Sequence, residues 1–170
     1  MEMERIYEYI KQHATPQSEA LAWVEKQTHI RTNHARMLSG SAQGQLMRML
    51  VQMTGARRIL ELGTFTGYSA ICMASALPED GHLDTLELND ELEDLILEGF
   101  ERAGLSEKID LHIGDCKETL KRMRSEMGLD KVAPHSETCH DTAVEELLYD
   151  IVYIDANKRE YPEYYELVFD

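Results

Sequence analysis

Basic residues are scarce in this sequence, with 17 lysines and arginines against 32 aspartates and glutamates. The formal net charge of −15 repels nucleic-acid phosphates and anionic membrane surfaces alike, so neither nucleic acid nor membrane is an expected partner. Cysteine is scarce too: Cys72, Cys116 and Cys139 are odd in number, far apart and never in a C-x-x-C pair. The N-terminal "MEMERIYEYIKQ" has no apolar signal core, and no apolar run approaches transmembrane length. A reducing, cytoplasmic compartment is the expected setting. What the sequence does have is 170 residues, 43% of them hydrophobic, which is enough for one sizeable core and leaves no obvious room for a second. One domain is expected over residues 1–170, with helices over 1–56 and an α/β core over 57–170.

That core is read from alternation. Four apolar runs rich in β-branched residues, "RRILEL" (57–62), "HLDTLEL" (82–88), "KIDLHIG" (108–114) and "YDIVYID" (149–155), alternate with segments of helical period. This is the pattern of a mostly parallel sheet with crossover helices. The first and last runs are apolar enough to be central strands buried on both faces. One helix is expected from near Gly67 to before Pro78, one over about 91–103 with Asn89 or Asp90 as N-cap and Gly104 as C-cap, and one from near Lys117 to Gly128. Upstream, Thr15 before Pro16 suits an N-cap and first helical position, while Leu46, Met49, Leu50 and Met53 share one face of a helix that ends at Gly55 and is expected to pack on the sheet. Residues 129–146 interrupt the alternation with Pro134 and polar side chains, and read as a loop. His135, Cys139 and His140 within it are too few and too scattered for zinc spacing.

The stretch "LELGTFTGYS" carries the first functional signal. Gly63 directly after a strand permits a tight turn, and Gly67 lets a ligand approach the first turn of the next helix, whose free N–H groups accept a polar or anionic group. The spacing is G-x-x-x-G, unlike the dinucleotide fingerprint G-x-G-x-x-G, and Glu61 before the first glycine would repel a pyrophosphate. That disfavours a nicotinamide oxidoreductase. S-adenosylmethionine has an ammonium and a sulfonium but no phosphate: Glu61 would sit near the ammonium while the loop amides and Ser69 take the carboxylate. Glu87 ends the second run 24 residues after Gly63, where an acid in a nucleotide-binding sheet accepts from both ribose hydroxyls. Asp115 and Cys116 end the third run and would bracket an adenine. Asp155 ends the fourth, with Lys158 three residues on; such a pair can hold a hard cation and accept a proton from a hydroxyl.

Together, "MLSGSAQGQL", "LELGTFTGYS", "LEL", "GDCKETL" and "YIDANKREYPEYYELV" resemble the caffeoyl-CoA O-methyltransferase and catechol O-methyltransferase-like family in its bacterial branch. The resemblance runs in order over about residues 7–170. It implies a Rossmann-like S-adenosylmethionine-dependent methyltransferase fold and methyl transfer to a hydroxyl of a catechol-like or other phenolic small molecule, assisted by a divalent cation, Mg²⁺ in the first instance. By it, Ser39, Glu61, Gly63, Thr64, Ser69, Glu87 and Cys116 line the S-adenosylmethionine site with Asp115 close to the adenine. Asp155 is a metal ligand near the methyl donor, and Lys158 helps deprotonate the acceptor. A homodimer is the expected assembly.

Asn157 stands where many members have aspartate. The family continues beyond "YELVFD" through a further strand bearing an Asp-Asn pair and a closing hairpin, so C-terminal strands are expected to be missing here. Weak Mg²⁺ binding, little transfer to catechols and an open apolar edge on the fourth strand would follow. A non-catalytic S-adenosylmethionine-binding fragment or regulator is the alternative.

Overall fold

The computed structural model describes residues 2–126 and 149–169. Its centre is a parallel sheet of four strands, β1 (Arg58–Leu62), β2 (His82–Glu87), β3 (Ile109–Ile113) and β4 (Ile151–Ile154), in the order β3-β2-β1-β4. The α/β fold expected from alternation is therefore present. The chain steps outward from β1 to β3 and then returns to the other side of β1, which places the change of direction between β1 and β4. In open parallel sheets, ligands sit in the crevice at the carboxyl ends of the strands flanking such a point.

Strand alternation builds two cores. Ile59, Leu83 and Ile109 face one side, packed by α2 (Glu19–Arg31), α3 (Ser41–Thr54), α4 (Tyr68–Ala74) and α5 (Glu93–Ala103), with Val24, Val51, Ile71 and Phe100 all buried there. Leu60, Leu62 and Leu86 face the other, under Leu120 and Met123 of α6 (Cys116–Glu126) and Tyr164 of α7 (Tyr161–Phe169). β1 is buried on both faces as expected. β4 is only half buried and, among the described residues, pairs with β1 alone, so its apolar sequence does not make it a central strand here.

Two helical expectations are corrected. Thr15 and Pro16 do not start a helix: α1 (Glu2–His13) precedes them, and α2 begins at Glu19 with Ser18 as N-cap, its Oγ accepting from the Leu21 N–H at 3.3 Å. In α3, the buried residues are Gly44, Met47 and Val51, while Leu46, Met49, Leu50 and Met53 stay between 47% and 75% exposed. The cause is a close approach. A Cβ on Gly44 would stand 2.6 Å from Cys72 Sγ, so α3 turns its smallest residue toward α4 and its larger apolar stripe outward. The other boundaries follow the expected signals: Gly55 and Gly104 end α3 and α5 in left-handed conformation, and Asn89 caps a 3₁₀ turn that leads into α5. Residues 129–146, with His135, Cys139 and His140, lie outside the described residues.

Candidate active site

The turn after β1 is fixed by neighbouring backbone. Gly63 has φ +99°, and a Cβ there would meet the Asp155 carbonyl oxygen at 2.7 Å and the Ala156 nitrogen at 2.8 Å, so only glycine lets the β1 and β4 ends touch at the crevice. Gly67, expected to make room for a ligand, makes room for a side chain instead: its φ is +84°, and a Cβ would lie 2.9 Å from Phe100 Cε1. Between the glycines, Phe65 has φ +51°, and its N–H donates to Glu87 Oε2 at 2.7 Å. The Asn89 N–H donates to Glu87 Oε1 at 2.9 Å, so both oxygens of the carboxylate are oriented by backbone and each keeps a lone pair for another donor.

A cavity of about 770 Å³ opens over these ends. Ser39, Gly63, Thr64, Ser69, Glu87, Asp115, Cys116, Asp155 and Lys158 all line it, so nine of the ten residues singled out from sequence surround one space. Glu61 is the tenth. It is fully buried under the loop, where Thr85 Oγ1 donates to its Oε2 at 2.6 Å and Oε1 has no hydrogen-bond partner among the described residues. Burial pushes its carboxyl up to about 7, with the charges of Asp155 and Glu87 adding to the effect and hydrogen bonds from Ser69 and Thr85 opposing it.

Asp115 accepts from the N–H groups of Lys117 and Glu118 at 2.9 and 3.2 Å, capping α6 while it faces the cavity. Burial, reinforced by nearby carboxylates, pushes the Cys116 thiol up to about 11, so it remains a neutral wall rather than a nucleophile. Asp155 follows β4 with its N–H on the Leu62 carbonyl, and Lys158 opens the 3₁₀ turn that follows. Asn157 turns its Oδ1 to the Arg159 N–H at 3.3 Å, a local cap.

Sequence reading missed Arg36, Gln43, Tyr68, Glu160 and Tyr164, which also line the cavity. Gln43 donates to the Tyr153 hydroxyl at 2.9 Å, and that hydroxyl faces Asp155 Oδ2 at 3.4 Å. Their signal was partial: Gln43 stands inside "SGSAQGQ", but nothing in its spacing tells which side chain of α3 reaches β4.

A family model described as O-methyltransferase matches residues 11–170. The chain belongs to this O-methyltransferase family. Caffeoyl-CoA O-methyltransferase 1 of Zea mays is 33% identical over 130 residues, covering 76% of this chain and 44% of that protein. Tricin synthase 1 of Oryza sativa subsp. japonica is also 33% identical, over 76% of this chain and 46% of its own length. The chain thus spans less than half the length of these curated relatives. Among solved structures, the O-methyltransferase TomG of Streptomyces achromogenes, in complex with SAM, superposes with a TM-score of 0.80 at 29% identity over 99% of this chain and 68% of that one. An O-methyltransferase of Bacillus cereus in complex with SAH gives 0.78 at 28%, over 96% of this chain and 66% of that one. The methyltransferase fold expected from the sequence is therefore the fold of the O-methyltransferase family.

Proposed function

We propose that this chain binds S-adenosylmethionine in the cavity at the carboxyl ends of its strands and passes the methyl group to a hydroxyl of a catechol-like or other phenolic small molecule. The observation that carries the reading is the convergence of four strand ends on one cavity, with the preoriented Glu87 carboxylate at the β2 end and Asp155 and Lys158 at the β4 end. A volume of about 770 Å³ falls in the range of small-molecule sites. In this reading Glu87 accepts from both ribose hydroxyls, the Gly63 to Ser69 turn takes the methionine end, and Asp115 and Cys116 flank the adenine. Lys158 Nζ takes the acceptor's hydroxyl proton. The oxygen then attacks the methyl carbon in line, the sulfur–carbon bond breaks with its electron pair going to sulfur, and S-adenosylhomocysteine leaves.

The donor chemistry at the β4 end fits a hard cation through one exposed carboxylate, Asp155, which would hold Mg²⁺ with water in several of its roughly six positions. When bound there, the ion would lower the pKa of the acceptor hydroxyl. A homodimer is part of the same proposal, supported by the exposed apolar stripe of α3. So is a cytoplasmic setting, for which Cys72 and Cys116, both free and buried, offer support, while no helix among the described residues is long and apolar enough to cross a membrane.

Calorimetric titration with S-adenosylmethionine and S-adenosylhomocysteine tests the reading. Glu87→Ala removes two charge-assisted hydrogen bonds of about 1.5–3 kcal/mol each and should weaken binding at least tenfold. Equal affinity in the variant, or tighter binding of NAD, would refute it.

A further inference from the structure

The amino-terminal half of the sheet carries a second polar cluster, on the α6 and α7 side and away from the cavity. His82 opens β2 and Asp84 follows two residues later; in register, Asp110 of β3 lies opposite Asp84 and His112 opposite Leu86. Period-two alternation therefore turns all four side chains to one face. His82 Nε2 stands 3.2 Å from Asp110 Oδ2, and ligand atoms of His82, Asp84 and Asp110 all fall within 4.8 Å of one another. None of the three lines the cavity.

Asp84 is the unusual member, because it is a carboxylate only 6% exposed. His112 Nε2 meets its Oδ1 at 2.8 Å, the Tyr149 hydroxyl donates to its Oδ2 at 2.9 Å, and Arg58 Nη2 lies 3.9 Å from the same oxygen. Burial alone would raise its pKa, but the hydrogen bonds of His112 and Tyr149 outweigh burial and hold it below the usual carboxylate value. The carboxylate is thus aimed by partners outside the trio, the arrangement that metal-ligating carboxylates adopt.

We propose that His82, Asp84 and Asp110 bind one divalent transition ion of the Zn²⁺ class, tying β3 to β2. One imidazole nitrogen and two carboxylate oxygens, with water in the fourth position, form a tetrahedral set that suits zinc and its neighbours better than Mg²⁺ or Ca²⁺. Bonds of about 2.0–2.2 Å require the ligand atoms to draw together from their present spread. The side chains free to move are His82 and Asp110, 33% and 65% exposed, while Asp84 stays fixed. His112 acts on Asp84 from the second layer. Arg58 bears on one Asp84 oxygen and lowers the site's net negative charge, but two carboxylates still outweigh it.

Zn²⁺ and Co²⁺ titrations of the whole chain, read by calorimetry, visible absorption and thermal melting, test the proposal. One Zn²⁺ per chain is expected, with a rise in melting temperature and a Co²⁺ spectrum of tetrahedral intensity without a thiolate charge-transfer band. Asp110→Asn and His82→Ala should each weaken binding at least tenfold, and His112→Ala by about 10- to 100-fold. The double variant H82A/D110N should melt like wild type without metal yet gain nothing from Zn²⁺, whereas D155A should still bind it. Absence of binding, equal affinity in H82A/D110N, or a thiolate band pointing to a cysteine site would overturn it.

Discussion

Glu61 and Asp84 are both carboxylates buried in the sheet, yet their surroundings push them in opposite directions. Burial, reinforced by the neighbouring charges of Asp155 and Glu87 and opposed by hydrogen bonds from two hydroxyls, raises the Glu61 pKa from 4.5 to about 7. A raised folded-state pKa favours folding at low pH, and that advantage is lost as pH climbs from about 4.5 through 7; at 1.36 kcal/mol per pKa unit the loss is of order 3 kcal/mol. Urea denaturation at pH 5 and pH 8 should therefore show Glu61→Gln gaining on wild type at the higher pH. An unchanged difference between the two pH values would mean that Glu61 does not titrate in this window. Asp84 has the reverse sign: its depressed pKa contributes stability above the unfolded value near 3.8 that is lost as pH falls.

At the scale of elements, caps and close approaches decide where helices begin and which way they face. Ser18→Ala should cost about 1 kcal/mol by removing the Leu21 cap bond, measurable as a lower urea midpoint with an unchanged slope. Thr15→Ala should cost nothing comparable, since Thr15 precedes no helix start. Gly63→Ala is the severe case. Positive φ and a backbone oxygen 2.7 Å from the new Cβ act together, and a loss of about 1–3 kcal/mol is expected, with weaker cofactor binding because the β1 and β4 ends are forced apart. A Gly63→Ala protein with wild-type stability and affinity would show that the two loops do not need this contact.

For the whole molecule, two measurable quantities follow from charge and exposed surface. S-adenosylmethionine at 100 times its dissociation constant should stabilise the fold by about 2.7 kcal/mol, seen as a higher melting temperature. Self-association through the α3 stripe should strengthen with salt, because a net charge of −15 keeps copies apart at low ionic strength while the apolar contact itself is insensitive to screening. Met53→Glu with Leu50→Glu should then shift sedimentation toward monomer, and a wild-type chain that is monomeric at every salt concentration would remove the homodimer from the proposal.

Much of this architecture is legible in local signals. β1 declares itself as a largely apolar run directly before a glycine, Gly55 and Gly104 mark helix ends, and the G-x-x-x-G turn preceded by Glu61 departs from the dinucleotide fingerprint, because each depends on backbone and side-chain chemistry within a few residues. What needed the folded chain were the choices between candidates that look alike in one dimension. Leu46, Met49, Leu50 and Met53 read as a core face, but the fit of Gly44 against Cys72 determined which side of α3 is buried. Gly67 reads as a ligand approach, but Phe100 fills that space. The meeting of Gln43, Tyr153 and Asp155, and the gathering of His82, Asp84, Asp110 and His112, depend on the register of parallel strands and on which helix lies over which strand end. Sequence alone determined the class of fold, because that follows from periodicity, and its short motifs marked residues that gather at the strand ends. Packing between distant segments decided which side chains share a site, because complementary volume is a property of the assembled pair and is written in neither segment by itself.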